Sequence, residues 1–368
     1  MKNILMLTRL MGQGGTEKIF IQQCSVLKEA GYNVIACSGG GLSVPALEKM
    51  GIKHYTVNDL EDKSPYKVLS NLFGINKIIK QNKVDVIHTH HRMAAVYARL
   101  LARKNNAVHV HTAHNIFHDK ILLTKFALGD CSAVVAVGIS VKDNLVEDYG
   151  ISPGKVKVIY NAVQDFLVSE KKVDDTISHL SSSGKIVVGN YGRLTEQKNF
   201  EMYIRAISKL KDKDKFAFLI VGDGELKGKL ERMVTDLGLT ELVYFLGYRS
   251  DIQNVMSQTD FTVISSKWEG LPLVPIESFS VGKAVIGTNI GGTNELIKDS
   301  ETGLLVESDN EKELSEKISL LANDEKLLRR IETNITDIYD RKYSFDVFEK
   351  KYLELYHKLL MKVDEGYK

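Results

Sequence analysis

Cysteine is scarce: Cys24, Cys37 and Cys131 are the only three in 368 residues. They are widely spaced and odd in number, so no disulfide framework is implied, and the usage fits a reducing cytoplasm. Long apolar runs are absent as well. Nothing approaches the ~18 consecutive apolar residues that a transmembrane helix needs. The opening MKNILMLTRLMGQGG has too short an apolar stretch for a signal peptide and reads as a first strand. Any membrane contact is therefore expected to be peripheral. An excess of one charge is lacking too, with 49 Lys and Arg against 47 Asp and Glu and a formal net charge of +2. That balance argues against a nucleic-acid binder. There is no convincing internal repeat and no low-complexity segment.

What is present suits about two domains of ~150–200 residues. Hydrophobic residues make up 43% of the chain, enough for sizeable cores, and 26% is charged. The charge is uneven: residues 1–180 hold 22 Lys and Arg against 16 Asp and Glu, and the remainder 27 against 31. A basic half beside an acidic half hints at a local anionic partner, although two ordinary solvated surfaces would look the same.

Strand-like and helix-like runs alternate from end to end. Apolar segments at 3–8, 33–37, 84–90, 108–112, 133–137 and 156–160 predict one strand series, with a helix over 17–30 that stops at Gly31. Residues 165–184 are polar and unpatterned and read as a connection. A second series follows at 186–191, 217–221, 243–246, 261–264 and 284–287, and 345–360 has helical apolar spacing. The predicted fold class is α/β, with two Rossmann-like doubly wound domains facing across a cleft at the carboxyl ends of their sheets.

Three loops carry chemistry. Gly12-Gln13-Gly14-Gly15-Thr16-Glu17 follows the first strand and opens a helix, where backbone N–H groups can meet a phosphate. A dinucleotide fingerprint would need glycine at 17 and an acid after the second strand. This chain has Glu17 and Cys37-Ser38, which argues against a nicotinamide-dependent dehydrogenase. In the second series, Arg193 and Lys198 lie five residues apart on a strand-to-helix loop and can converge on one diphosphate. In Ser265-Ser266-Lys267-Trp268-Glu269-Gly270-Leu271-Pro272-Leu273-Val274-Pro275-Ile276-Glu277, a helix is predicted to begin near Leu273. The N–H groups of Leu273 and Val274 would be free in its first turn to bind an anion. Pro275 is tolerated there, because that early N–H has no helical partner. Glu277, one turn further in, can reach a ribose hydroxyl pair, and Glu269 lies nearer the transferred group. Glycine turns at Gly222-Asp223-Gly224, Gly247-Tyr248 and Gly291-Gly292-Thr293 agree with a cleft, and Tyr248 is counted among the donor-binding candidates.

Seven of the ten histidines fall within 88–118: His88, His90, His91, His109, His111, His114 and His118. Alternate positions share a strand face, so a metal site is conceivable. No cysteine or carboxylate pattern completes one. The expectation is no metal, with polar strand ends lining a cleft and one functional imidazole among them.

Taken in order and spacing, these pieces resemble the retaining glycosyltransferases of family 4, which have the two-domain GT-B fold. The matching segments are Gly14-Gly15-Thr16-Glu17, Val158-Ile159-Tyr160-Asn161-Ala162-Val163, Gly192-Arg193 with Lys198-Asn199, Val221-Gly222-Asp223-Gly224, Glu269-Gly270-Leu271-Pro272 with Glu277, and Gly303-Leu304-Leu305-Val306. The resemblance covers almost the whole chain and is weakest over 38–85 and 165–183. Ala162 and Gln164 depart from the family's frequent Gly and Asp; both lie near the connection between domains.

The resemblance implies that Arg193 and Lys198 bind the donor diphosphate and steady the leaving group. It implies that Glu277 holds the ribose, that Glu269 contacts the transferred sugar, and that Gly14 and Gly15 approach the phosphates. His114 would sit beside the sugar, and Leu273 and Val274 would supply N–H groups. It also implies an acceptor domain over 1–164 completed by a returning helix at 345–368, and a donor domain over 165–344. UDP is the family's commonest carrier, with GDP and ADP also occurring, no cofactor or metal is expected, and retention is usually explained by front-face attack. A glycan or lipid-linked acceptor and a cytoplasmic protein, peripheral at the inner face of the membrane, complete the expectation. A nucleotide-sugar epimerase or a non-catalytic nucleotide-sugar binding module are the competing readings. A phosphorylase would need a much longer chain and a lysine-bound pyridoxal cofactor.

Overall fold

The computed structural model describes residues 1–117, 119–166 and 171–364. His118 lies outside the described residues. The chain divides into two compact units, Met1–Asn161 with Phe348–Lys368, and Ala162–Val347.

The first unit holds seven strands: β1 Asn3–Leu7, β2 Asn33–Ser38, β3 Lys53–Thr56, β4 Val86–Thr89, β5 Val108–Ala113, β6 Ala133–Ala136 and β7 Val156–Val158. Its helices are α1 Gly15–Glu29, α2 Val44–Lys49, α3 Pro65–Gln81, α4 Arg92–Ala102, α5 Ile121–Gly129 and α6 Ile139–Asp143. The strands pair in the order β3-β2-β1-β4-β5-β6-β7, all parallel. β1 is buried almost throughout, as a central parallel strand covered on both faces must be. Leu5 and Leu7 point to the face covered by α3 and α4, where Ile75, Ile78, Ile79, Tyr97, Ala98 and Leu101 complete one core.

The second unit begins with α7 Asp175–Ser182 and β8 Ile186–Tyr191, followed by α8 Phe200–Lys209, β9 Phe216–Val221, α9 Lys227–Asp236 and β10 Val243–Gly247. Then come α10 Ile252–Ser257, β11 Phe261–Ile264, α11 Leu273–Ser280, β12 Val285–Thr288, α12 Thr293–Leu296 and β13 Leu304–Val306. Helices α13 Glu311–Asn323 and α14 Glu325–Ile338 follow, and α15 Phe345–Asp364 is the last element among the described residues. The sheet order is β10-β9-β8-β11-β12-β13, again all parallel. Phe200, Tyr203, Phe218, Phe261 and Ile318 fill its core.

Two differences from the sequence reading are physical. Residues 165–184 are not simply a polar connection: α7 forms there because the Asp174 carboxylate accepts from the N–H groups of Thr176 and Ile177, and Ile177 and Leu180 are buried. The stretch 38–85, which gave no element, holds α2, β3 and α3. β3 is an edge strand of sequence KHYT with no fully buried residue, so it lacks the apolar run that marks an inner strand.

From Phe348 onward α15 belongs to the first unit. Tyr352 and Tyr356 are buried there. Tyr356 Oη lies 2.7 Å from His88 Nδ1, and Tyr352 Oη lies 3.4 Å from Thr112 Oγ1.

Candidate functional site

In a doubly wound sheet the chain reverses direction at one point, and the loops after the two strands flanking it diverge to leave a ligand crevice. The second unit reverses between β8 and β11. The loop after β8 carries Arg193 and Lys198, and the loop after β11 carries Ser266 and Glu269. Lys198 Nζ lies 2.5 Å from Glu269 Oε1, in a pair whose carboxylate side chain is 7% exposed. Ser266 Oγ donates to the same oxygen at 2.7 Å. Gln197 Nε2 donates to the Trp268 carbonyl at 2.9 Å, and the Lys267 N–H donates to the Gln197 carbonyl at 2.8 Å. Below them, Asn190 Nδ2 donates to Ser265 Oγ at 3.1 Å, which in turn donates to the Lys198 carbonyl at 3.0 Å. The two loops are thus bolted together from the strand ends upward.

Arg193 is exposed, and although its carbonyl accepts from the Thr195 N–H at 2.9 Å, its guanidinium has no hydrogen-bond or ion-pair partner among the described residues. Glycine makes the loop approach possible. Gly222, at φ +146°, brings its backbone so close to the Gly192 carbonyl that a Cβ would lie 1.9 Å from that oxygen. Gly292, at φ +80°, does the same beneath Gly270, where a Cβ would lie 2.2 Å from the carbonyl oxygen.

α11 starts at Leu273 after Pro272, with Pro275 in its first turn. Its early N–H groups have no helical acceptor and carry the positive end of the helix dipole. Leu273 is half-buried, while Val274 and Glu277 are buried. Tyr248 is exposed after β10, which stands two strands away from β8 and outside the reversal point.

The first unit reverses between β1 and β4. Gly14 and Gly15 form the start of α1 there. The N–H of Gly14 donates to Glu17 Oε2 at 3.0 Å, so the helix terminus already holds a carboxylate of its own chain. His88 stands near the carboxyl end of β4 and His90 just past it, His111 and His114 lie toward and past the carboxyl end of β5, and His109 lies near the amino end of β5. His88 Nδ1 accepts from Gln23 Nε2 at 3.0 Å, which leaves the proton on Nε2 to be donated to Thr112 Oγ1 at 2.8 Å. His109 packs against Cys131 and Thr89, and His111 Nδ1 meets Thr89 Oγ1 at 2.8 Å. His91 caps α4 by accepting from the Met93 N–H.

His114 follows β5 and is half-buried, with Nε2 at 2.9 Å from His90 Nδ1. Burial, and then the charge of a protonated His91, hold its pKa down at about 4. His90 is pushed well below the ordinary histidine range by burial. The pair is therefore neutral at pH 7, with one ring donating and the other accepting. His90 Nε2 is buried with no hydrogen-bond partner among the described residues.

The sequence-picked residues thus fall at two reversal points, Arg193, Lys198, Glu269, Leu273, Val274 and Glu277 in one unit and Gly14 and Gly15 in the other, while His114 follows β5, one strand beyond the reversal, and meets His90 at the end of β4. Sequence reasoning missed Ser266, Gln197 and His90, which hold the picked side chains. Ser266 stands three residues before Glu269, a spacing that allows a serine to reach a carboxylate across a tight loop. Among the described residues no group of three or more His, Cys, Asp or Glu is placed to hold a metal ion.

Two family descriptions match. "Glycosyltransferase Family 4" covers residues 13–165, and "Glycosyl transferases group 1" covers residues 172–337. A Campylobacter jejuni N-acetylgalactosamine-N,N'-diacetylbacillosaminyl-diphospho-undecaprenol 4-alpha-N-acetylgalactosaminyltransferase is 30% identical over 71% of this chain and 71% of its own. An Escherichia coli UDP-Gal:alpha-D-GlcNAc-diphosphoundecaprenol alpha-1,3-galactosyltransferase is 28% identical over 80% of this chain and 81% of its own. Among solved structures, a glycosyltransferase from Rickettsia africae superposes with a TM-score of 0.87 at 28% identity, covering 98% of both chains. Anabaena Alr3699/HepE, solved with UDP, gives a TM-score of 0.85 at 21% identity, covering 97% of this chain and 100% of that one.

Proposed function

Because this chain is a family 4 glycosyltransferase of GT-B fold, we propose that it moves a sugar from a UDP-sugar to a lipid-linked glycan, with retention, in cell-surface polysaccharide synthesis. The observation that carries the reading is the joined pair Lys198 and Glu269 beside an unpartnered Arg193 at the reversal point of the second sheet. Two cations and a helix N-terminus on neighbouring loops suit a diphosphate. The E. coli relative uses UDP-Gal on a diphosphoundecaprenol acceptor, which supports the choice of donor and acceptor, and the C. jejuni relative works on a diphospho-undecaprenol glycan, which supports the choice of acceptor.

In this reading the bond between the anomeric carbon and the diphosphate oxygen breaks, and negative charge grows on the diphosphate. Arg193, Lys198 and the Leu273 and Val274 N–H groups stabilise that charge without a metal, each donor contributing on the order of 10²–10³ in rate. Lys198 reaches the phosphate by leaving Glu269, which frees the carboxylate to accept hydrogen bonds from the transferred sugar. Glu277 accepts from the ribose hydroxyls, Gly14 and Gly15 offer N–H groups once Glu17 yields its place, and Tyr248 adds a hydroxyl at the rim. The acceptor hydroxyl attacks from the leaving-group face and passes its proton to a departing phosphate oxygen. His114, held neutral, offers a hydrogen bond to a sugar hydroxyl rather than acting as a base. No cofactor takes part, and the protein works at the cytoplasmic face of the membrane, where it binds peripherally.

Calorimetry with UDP and with uridine tests the reading. Arg193→Ala should weaken UDP far more than uridine, since it removes a charge-assisted phosphate contact. Equal losses for both ligands would remove the phosphate role.

A further inference from the structure

The outer face of the first unit carries a feature that the donor chemistry does not use. Helices α3, α4 and α5 lie side by side, with α4 packed against both neighbours. On α3, Tyr66, Leu69, Phe73, Lys77 and Lys80 follow one another at intervals of three, four, four and three residues, so they form a single stripe. The opposite side of the helix buries Asn71, Ile75, Ile78 and Ile79. The stripe therefore points away from the core. Tyr66 is 79% exposed, Leu69 55% and Phe73 74%. On α5, Leu122 is 84% exposed, and Ile121 and Phe126 are exposed beside it.

Charge on these helices has one sign. α3 carries Lys67, Lys77 and Lys80, α4 carries Arg92 and Arg99, and α5 carries Lys125. None of the three contains an Asp or Glu. Arg103 and Lys104 extend the series just past α4. The acids nearby lie off the helices and are already engaged: Asp62 with Lys67, Asp119 with Arg92 and Asp130 with Arg99. A monomeric surface rarely leaves large apolar side chains exposed together, and an apolar stripe edged by lysine matches the boundary between lipid headgroups and acyl chains.

We propose that the stripe Tyr66-Leu69-Phe73 on α3, joined by Ile121 and Leu122 on α5, docks into an anionic lipid bilayer, with Lys77, Lys80, Arg103, Lys104 and Lys125 against the headgroups. The topology gives the docking a purpose. In a parallel sheet with returning helices, each helix begins at the carboxyl end of the strand before it. Tyr66, Leu69, Ile121 and Leu122 all lie in the first turns of their helices, at the end of the sheet that also bears His90 and His114. The apolar end of the face thus sits on the acceptor side, where a lipid-linked glycan would leave the bilayer. The inference deepens the peripheral membrane contact proposed above, and it rests on that contact and not on the donor-site roles.

The test is co-sedimentation of the full chain with phosphatidylcholine vesicles, with and without phosphatidylglycerol. Wild type should pellet with the anionic vesicles and release in high salt. The triple change Tyr66→Ser, Leu69→Ser and Phe73→Ser should weaken binding by about tenfold or more, given ~0.8 kcal/mol per buried CH₂ in the interface. Lys77→Glu with Lys80→Glu should weaken it at low salt and much less at high salt. Lys312→Glu, an exposed lysine of the second unit, is the matched control and should bind as wild type does. Phe73→Trp should blue-shift on adding vesicles and be quenched by brominated lipid. An unchanged melting temperature and unchanged UDP binding exclude misfolding. If wild type pellets and the triple variant pellets equally, the stripe is not the docking element, while peripheral contact survives. If wild type stays in solution at every salt concentration, the membrane contact itself fails. If the triple variant instead turns a dimer into a monomer, the stripe covers a second copy of the chain and the proposal is overturned.

Discussion

The ammonium of Lys198 and the carboxylate of Glu269, 71 residues apart in sequence, share one ion pair that Ser266 Oγ joins from the same loop as the glutamate. Neither charge is free to act while the pair is closed. In the proposed reading a diphosphate arriving at the loop would compete with Glu269 for Lys198, which would make donor binding and release of the carboxylate one event.

That coupling predicts an order among variants. Glu269→Gln should bind UDP as tightly as wild type or tighter, because Lys198 no longer has a competing anion, yet turn over on the order of 10²-fold more slowly. Ser266→Ala removes one neutral donor and should cost turnover only several-fold. Single-turnover rates beside UDP calorimetry separate the two. Weakened UDP binding in Glu269→Gln would contradict the competition.

Chelation gives a second outcome. Arg193, Lys198 and the start of α11 supply positive charge directly, so EDTA should leave turnover largely intact. Loss of activity with EDTA that Mg²⁺ or Mn²⁺ restores would show that the diphosphate needs a cation the side chains do not provide.

For His114, the held-down imidazole means no inflection from this residue near pH 6.5 in the rate profile. His114→Ala should lower kcat by on the order of 10²-fold while leaving UDP affinity nearly unchanged. His109→Ala, beside Cys131 and Thr89, should act through stability instead. Near-normal turnover in a folded His114→Ala protein would assign the ring a purely structural part.

Stability should also fall with acid. His109 and His114 have native pKa values near 4 against 6.5 for a free imidazole, chiefly through burial. Between those values the unfolded chain binds more protons than the native one, so stability rises with pH across that window and is lost on descending it. For His109 alone the shift corresponds to about 3 kcal/mol in order of magnitude. Melting temperature measured from pH 7 to pH 4 should drop most steeply below pH 6.5, and His109→Gln should flatten the slope. A flat profile would mean that the imidazoles reach water.

Much of this was legible in the sequence. Strands such as Ile186–Tyr191 and Phe261–Ile264 are apolar runs ended by glycine or serine, and the loops after them bear the charged residues. Helix α11 could be placed at Leu273 because Pro272 and Pro275 confine its start. What escaped depends on side chains meeting across the fold. The Ser266 to Glu269 and His90 to His114 contacts need loop geometry that no periodicity encodes. Helix α3 escaped for another reason: its exposed stripe holds Tyr66, Leu69 and Phe73, so apolar residues stand on both sides and the amphipathic pattern is blurred.

The hydrogen bond between His88 and Tyr356 joins residues 268 positions apart. A chain made from its amino end therefore produces the seven strands of the first unit long before the helix that covers His88 and Thr112. The second unit, continuous from Ala162 to Val347, can close while the first still waits for its last piece. Until the last helix is made, the imidazole of His88 lacks its Tyr356 partner and Thr112 lacks Tyr352. The part of this enzyme that is translated first is thus the part that finishes folding last.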